Sequence, residues 1–326
     1  MSRILRFLCI GAAVQDVFLS HSQVLAPVRE DGIWFQQLEL GGKFDVNKID
    51  FSTGGGATNV ATTFARQGHE AIFMGTIGRD PAGEAVMMAM DKEGIDTRHT
   101  SYSRDYNTGY SVVLLAPNGE RTILTYRGAS THYDAKNFNL AGLNSAVDWL
   151  YAATLAGNFD ILQKVFLQAK AAGVKVAYNP GKKELAHRNK LLNLLPMVDV
   201  LLVNREEAMQ IVPGEKLPEI AKNLAKLVPT AVVTDGARGA VACDGQQIVK
   251  AGLYDNLRRP TDRTGAGDAF GSGIVVKIAE GKTLEQAVHF ASANASEVCQ
   301  AIGAKTRILR KGARIHDMDI KVNRIN

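Results

Sequence analysis

The sequence predicts an α/β fold: a mainly parallel central sheet with helices on both faces, plus a small β-sheet lid. Three observations predict it. Short apolar runs alternate with helical patterns along most of the chain, which is how a parallel sheet covered by helices is written. Two stretches break the alternation with strand-like segments and a turn signal, and these supply the small sheet. No internal repeat, low-complexity tract or linker divides the chain. Residues 1–326 therefore read as one domain, with lid segments at about 17–50 and 107–130.

Residues 7–14, 71–77, 149–153, 174–178, 200–203 and 231–234 are short and apolar and read as buried strands. Between them, residues 58–67, 81–93, 159–172, 205–211 and 217–227 carry helical patterns. Asp80 before Pro81 is an N-cap followed by proline at the first helical position. Thr283, Leu284, Glu285 and Gln286 form a capping box that opens a helix running to about Gln300. The lid comes from residues 33–40 and from a hairpin, 110–116 and 121–126, around Pro117-Asn118-Gly119-Glu120. In sheets of this class ligands bind at the carboxyl ends of the strands.

Composition narrows the function classes. Apolar residues make up 46% and charged residues 22%, so a core forms and wholesale disorder is excluded. The net charge of +5 is scattered and suits an anionic small ligand, and no motif that reads RNA or DNA is present. No stretch approaches the ~18 apolar residues of a membrane span, so neither nucleic acid nor membrane is an expected partner. Residues 7–14 are too short for a signal peptide and run into Gln15-Asp16 without a cleavage pattern. Cys9, Cys243 and Cys299 are odd in number and far apart, which points to the reducing cytoplasm rather than to disulfides or zinc.

Five segments carry chemistry. In Asp262-Arg263-Thr264-Gly265-Ala266-Gly267-Asp268, two glycines precede an apolar helix, so backbone amides and the helix dipole face whatever anion lies there. Asp268 lies where a carboxylate can take the proton of an attacking hydroxyl. Gly54, Gly55 and Gly56 lead to Asn59, whose amide offers a donor and an acceptor to a polyol. Asn204 and Glu207, three apart after a strand, can order phosphate and the water shell of Mg²⁺. Thr234, Gly236, Arg238 and Gly239 suit a cradle for nucleotide phosphates. Asp16 follows the first apolar run and can hold two sugar hydroxyls. Taken singly, each also fits an ordinary cap or turn.

In order and over nearly the whole chain, these segments resemble the ribokinase-like (PfkB-type) carbohydrate kinases. The resemblance implies transfer of the γ-phosphoryl group of ATP to a hydroxyl of a sugar or sugar acid. Asp268 would be the catalytic base and the amides of Gly265, Ala266 and Gly267 the anion hole. Asn204, Thr234, Gly236, Arg238 and Gly239 would hold the nucleotide, and Glu207 would hold Mg²⁺ through water. Asp16, Gly55, Gly56, Asn59 and Arg127 would hold the acceptor, Asp262 would border a K⁺-type ion, and the lid would pair two subunits into a homodimer. One departure is plain: ribokinases proper carry lysine in the N-terminal glycine motif where this chain has Gly56. A nucleoside acceptor stays open, with Phe18, Trp34, Phe35 and Tyr110 as candidates for a base slot. A non-catalytic sugar-binding protein is the alternative from another class. A nicotinamide oxidoreductase is disfavoured, because Asp268 would face the pyrophosphate.

Overall fold

Alternation along each central strand sends apolar side chains to both faces of the sheet, and each face is sealed by its own helices. The computed structural model describes residues 3–118, 120–140, 147–254 and 260–325. The strands of the first half are β1 (Arg6–Ile10), β2 (Val14–Ser20), β3 (Val28–Glu30), β4 (Ile33–Phe35), β5 (Lys48–Gly54), β6 (Glu70–Met74), β7 (Thr76–Gly78), β8 (Ser101–Ser103), β9 (Gly109–Leu115) and β10 (Arg121–Tyr126). Those of the second half are β11 (Trp149–Ala152), β12 (Lys175–Tyr178), β13 (Val200–Asn204), β14 (Thr230–Thr234), β15 (Ala240–Cys243), β16 (Gln247–Ala251) and β17 (Ile320–Arg324). The helices are α1 (Gly56–Arg66), α2 (Pro81–Lys92), α3 (Phe159–Ala171), α4 (Lys182–Leu185), α5 (Arg188–Leu194), α6 (Arg205–Ile211), α7 (Leu217–Leu224), α8 (Ala266–Ala279) and α9 (Leu284–Val298).

The central sheet runs β17-β16-β15-β14-β13-β12-β11-β1-β6. It is parallel from β6 to β14 and antiparallel from β15 to β17. Leu8, Leu150, Leu201 and Val233 face one core with α3, α5, α6 and α7. Phe7, Tyr151, Leu202 and Val232 face the other with α1, α8 and α9. Both caps expected from the sequence form. Asp80 accepts from the Gly83 N–H at 2.8 Å, and Thr283 and Gln286 close a reciprocal box. Among the described residues no helix is long and apolar enough to cross a membrane.

The small sheet has the order β10-β9-β2-β5. It leaves the central sheet just past the end of β1. Here the sequence reading needs correction: residues 7–14 are not one strand, because the chain turns after Ile10 and Val14 already belongs to the small sheet. Residues 71–77 divide in the same way, into β6 of the central sheet and β7, which pairs with β8. Apolarity alone does not reveal a change of sheet partner. Of residues 33–40 only β4 is a strand, and it pairs with β3 outside the four-stranded sheet. The edge strand β5, absent from the expectation, pairs with β2 instead. The hairpin strands β9 and β10 pair as expected, while the turn residue Gly119 lies outside the described residues.

Candidate active site

The start of α8 is built around a residue that must be glycine. Gly265 is the N-cap with φ +79°, and a Cβ there would collide with Ala304. Ala266 and Gly267 open the helix, so their N–H groups have no carbonyl of the same helix to bind; the Ala266 N–H donates to the Arg263 carbonyl at 3.3 Å, and that of Gly267 makes no backbone bond among the described residues. Asp268 lies in this first turn, half-buried, and it accepts a hydrogen bond from Asn59 Nδ2 at 2.7 Å. Burial pushes the Asp268 carboxyl above the usual range, against the opposing pull of the Asn59 bond and the positive charge of Lys305. Ser272 Oγ donates to the Asp268 carbonyl at 2.6 Å and fixes the turn from below.

A cleft of about 210 Å³ opens beside this turn, at the carboxyl ends of β13 and β14. Gly265, Gly267 and Asp268 line one part of it, and Asn204, Glu207 and Thr234 another. Asn204 and Glu207 cap α6 reciprocally, each side chain accepting from the other's backbone N–H at 2.9 Å. The capping box and the cleft wall are therefore the same pair of residues. Burial raises the Glu207 carboxyl, and the Asn204 bonds oppose the rise. Gly236, Arg238 and Gly239 form a tight turn after β14 but do not line this cleft. The Arg238 guanidinium is held by Asp235 through two bonds of 2.7 Å and is largely exposed.

On the other side of Asp268 stand the residues expected to hold an acceptor. Gly55 has φ +97°, and a Cβ there would strike the backbone of Ala12 and Ala13. The chain can fold back over the end of β1 only because that atom is missing. Gly56 opens α1, and a Cβ on it would lie 3.6 Å from Asp268 Oδ1. Asn59 Oδ1 is buried with no protein partner, an acceptor turned to a site that must supply the donor. Asp16 does not follow β1 directly but sits within β2 of the small sheet, buried, and paired in register with Ser52 and Ser111. Burial raises its carboxyl, Ser111 and Lys305 pull it down, and Asp262 pushes it up. Arg127 is exposed just past β10, and among the described residues its side chain has no hydrogen bond to these groups. Asp262 accepts from Thr264 N–H and Oγ–H and from the Gly303 N–H, which ties the loop before α8 to the segment after α9. Of the aromatic candidates, Phe18 is spent in the core with Val113 and Leu115, and Trp34 and Phe35 are exposed on the β3–β4 hairpin.

Sequence reasoning missed three polar residues here. Asn179 lines the cleft and donates to the Leu202 carbonyl at 2.7 Å. Glu184 is fully buried and gathers the N–H groups of Leu155, Gly157 and Gly181 past the ends of β11 and β12. Asn179 directly after an apolar strand was a visible signal. Lys305, buried near Asp16 and Asp268, carried none, because it stands in a stretch rich in basic residues that reads as surface.

Residues 33–310 match the profile described as "pfkB family carbohydrate kinase". The chain is 28% identical over 262 residues to a ribokinase of Haemophilus influenzae, covering 78% of this chain and 83% of that protein. It is 26% identical to a guanosine-inosine kinase of Exiguobacterium acetylicum, covering 78% and 86%. The structure superposes on Arabidopsis thaliana ribokinase complexed with ribose and ATP with a TM-score of 0.74 at 21% identity, covering 94% of this chain and 96% of that one.

Proposed function

The chain belongs to the pfkB family of carbohydrate kinases, phosphotransferases with an alcohol group as acceptor, and from that premise we propose that it transfers the γ-phosphoryl group of ATP to a hydroxyl of a sugar or sugar acid. One observation carries the reading: the half-buried carboxylate of Asp268 and the N–H groups of Gly265 and Gly267, which make no backbone bond among the described residues, share one helix start with the Ala266 N–H, between the cleft and the orphaned Asn59 Oδ1. Asp268 takes the acceptor's proton as its oxygen bonds the γ-phosphorus, and the bond from that phosphorus to the β-phosphate oxygen breaks. The amides at the start of α8 stabilise the charge on the transferring group. Asn204 and Thr234, on the cleft wall, border the nucleotide in this reading, with Gly236, Arg238 and Gly239 in the turn that follows β14. Glu207 fits a magnesium ion held through water, because it is a half-buried carboxylate on the cleft wall. Mg²⁺ supplies charge neutralisation at the phosphates when bound. A K⁺-type ion beside Asp262 belongs to the same proposal.

Asp16, Gly55, Gly56, Asn59 and Arg127 form the acceptor side in this reading, with the small sheet as lid. A sugar is favoured over a nucleoside because the site is lined by carboxylates and an amide, while Phe18 is locked in the core. The same sheet is the proposed homodimer contact. The three free cysteines accord with a cytoplasmic setting.

The test is a panel of sugars, sugar acids and nucleosides with ATP and Mg²⁺, with and without K⁺, read by ADP release in wild type and Asp268→Asn. The variant should lose roughly 10²–10⁴-fold in kcat on the best acceptor. Equal turnover in both proteins would falsify the assignment of the base.

A further inference from the structure

Lys305 belongs to none of the segments discussed so far, yet the fold directs it to the reacting groups. Its approach is pinned on several sides. Ile302 packs against Phe18, Val113 and Leu115 under the small sheet, and the Gly303 N–H donates to Asp262 at 3.1 Å. Ala304 fills the space that a side chain at Gly265 would need. The Lys305 side chain then turns inward and is only 9% exposed. Its Nζ donates to Thr53 Oγ1 at 2.9 Å, one residue before the glycine motif. A lysine ammonium has three N–H donors, and Thr53 takes one.

A buried ammonium is costly unless opposite charge compensates it. The charged groups facing it are Asp16 from β2, Asp268 from α8 and Glu93 after α2, with Arg66 of α1 opposing them. Glu93 is already held by Arg66 through bonds of 3.0 and 2.6 Å. The carboxylates left to Lys305 are therefore those of the acceptor side and the base. Asp262 adds further negative charge at Asp16. Burial brings the Lys305 ammonium down to about 7, while both carboxyls are raised by burial and pulled back by Lys305.

Resting on the assignment of Asp268 as base, we propose that Lys305 is a positioning residue for phosphoryl transfer: its ammonium, fastened on Thr53, keeps Asp268 and Asp16 ionised within a site that has shed its water. An acceptor that displaces water removes the carboxylates' solvation, and a fixed internal cation replaces it. The position 56 side of Asp268 offers no such charge, since Gly56 stands there.

The experiment is the pH profile of kcat/KM on the best acceptor in wild type, Lys305→Met, Lys305→Arg and Thr53→Val, with thermal melting to establish that each variant folds. Lys305→Met should move the acidic limb upward by about one pH unit, so that activity falls about tenfold at the acid end and recovers as pH rises. Lys305→Arg should keep the wild-type limb. Thr53→Val, which leaves the ammonium present but unfastened, should move it in the same direction by less. A uniform loss across pH with the limb unmoved in Lys305→Met shows a merely structural role and overturns the proposal. Where Lys305→Met does not fold, an unmoved limb in Thr53→Val does so. Asp268→Asn, run alongside, separates the two readings. Turnover surviving there removes the base itself, whereas turnover lost there beside unmoved limbs in the other variants overturns only the role of Lys305.

Discussion

Asp268 serves two ends that oppose one another. Half-buried and within the field of Lys305, it is a carboxylate whose raised proton affinity suits a base and whose ionised form is poorly solvated. A carboxyl with a folded-state pKa above its unfolded value costs stability once pH exceeds the unfolded value, and the cost is complete above the folded one. Asp268→Asn should therefore raise the melting temperature by roughly 2–4 °C at pH 7, with Asn59 still donating to the new amide oxygen. The gain should vanish as pH falls below the ordinary aspartate value of 3.8, which a melting series across acid pH will check. A melting temperature that drops at pH 7 would contradict this reading. Arg127 is a different case at the same scale: it is exposed and, among the described residues, has no hydrogen-bond partner at the site. If it holds an anionic group of the acceptor, Arg127→Ala should raise KM about tenfold and leave kcat nearly unchanged. An unchanged KM removes Arg127 from the acceptor side.

At the scale of elements, function lies where strands end and helices begin. α6 and α8 start at the same cleft, one through the Asn204–Glu207 box and the other through Gly265. The α8 start has no side-chain cap, and of its first amides only that of Ala266 has a backbone partner, the Arg263 carbonyl, among the described residues. Gly265→Ala should test that arrangement. The added methyl meets Ala304 and forces the αL backbone to shift, at a cost of roughly 1–2 kcal/mol. Displaced amides should lower kcat about 10²-fold. Denaturant unfolding and steady-state kinetics on the same preparation read both effects, and unaltered kcat in the destabilised variant would argue against an anion hole here.

At the scale of the whole molecule, the small sheet has two unlike faces. Asp16, Ser52 and Ser111 share one of them with Phe18, which packs toward the segment leading to Lys305. The register places Phe51, Val17, Val112 and Leu124 in a row across the other. Phe51 is 64% and Leu124 59% exposed, with Ile49 and Tyr126 exposed beside them. An apolar face of this kind in a folded chain calls for a partner surface. We expect a homodimer through it, so that Phe51→Asp with Leu124→Asp changes the mass by light scattering from dimer to monomer. A wild-type chain that is monomeric at micromolar concentration would exclude the contact.

The sequence by itself determined the central architecture and singled out Asp268 as the candidate base. Alternating apolar runs and helical periods are local signals, and glycines beside Asp268, Asn204 and Glu207 are tied to turns and caps that form within a few residues. Only the tertiary structure decided which runs change sheets, as at residues 7–14, and that β5 rather than residues 33–40 completes the four-stranded sheet. Strand pairing is a contact between distant segments and leaves no mark on either one alone. The same holds for Lys305. Its sequence neighbours describe a basic surface stretch, and its burial against Thr53, 252 positions away, follows from the loop before α8 closing on the segment after α9. Charge is readable in a sequence, but the dielectric around it is set by packing.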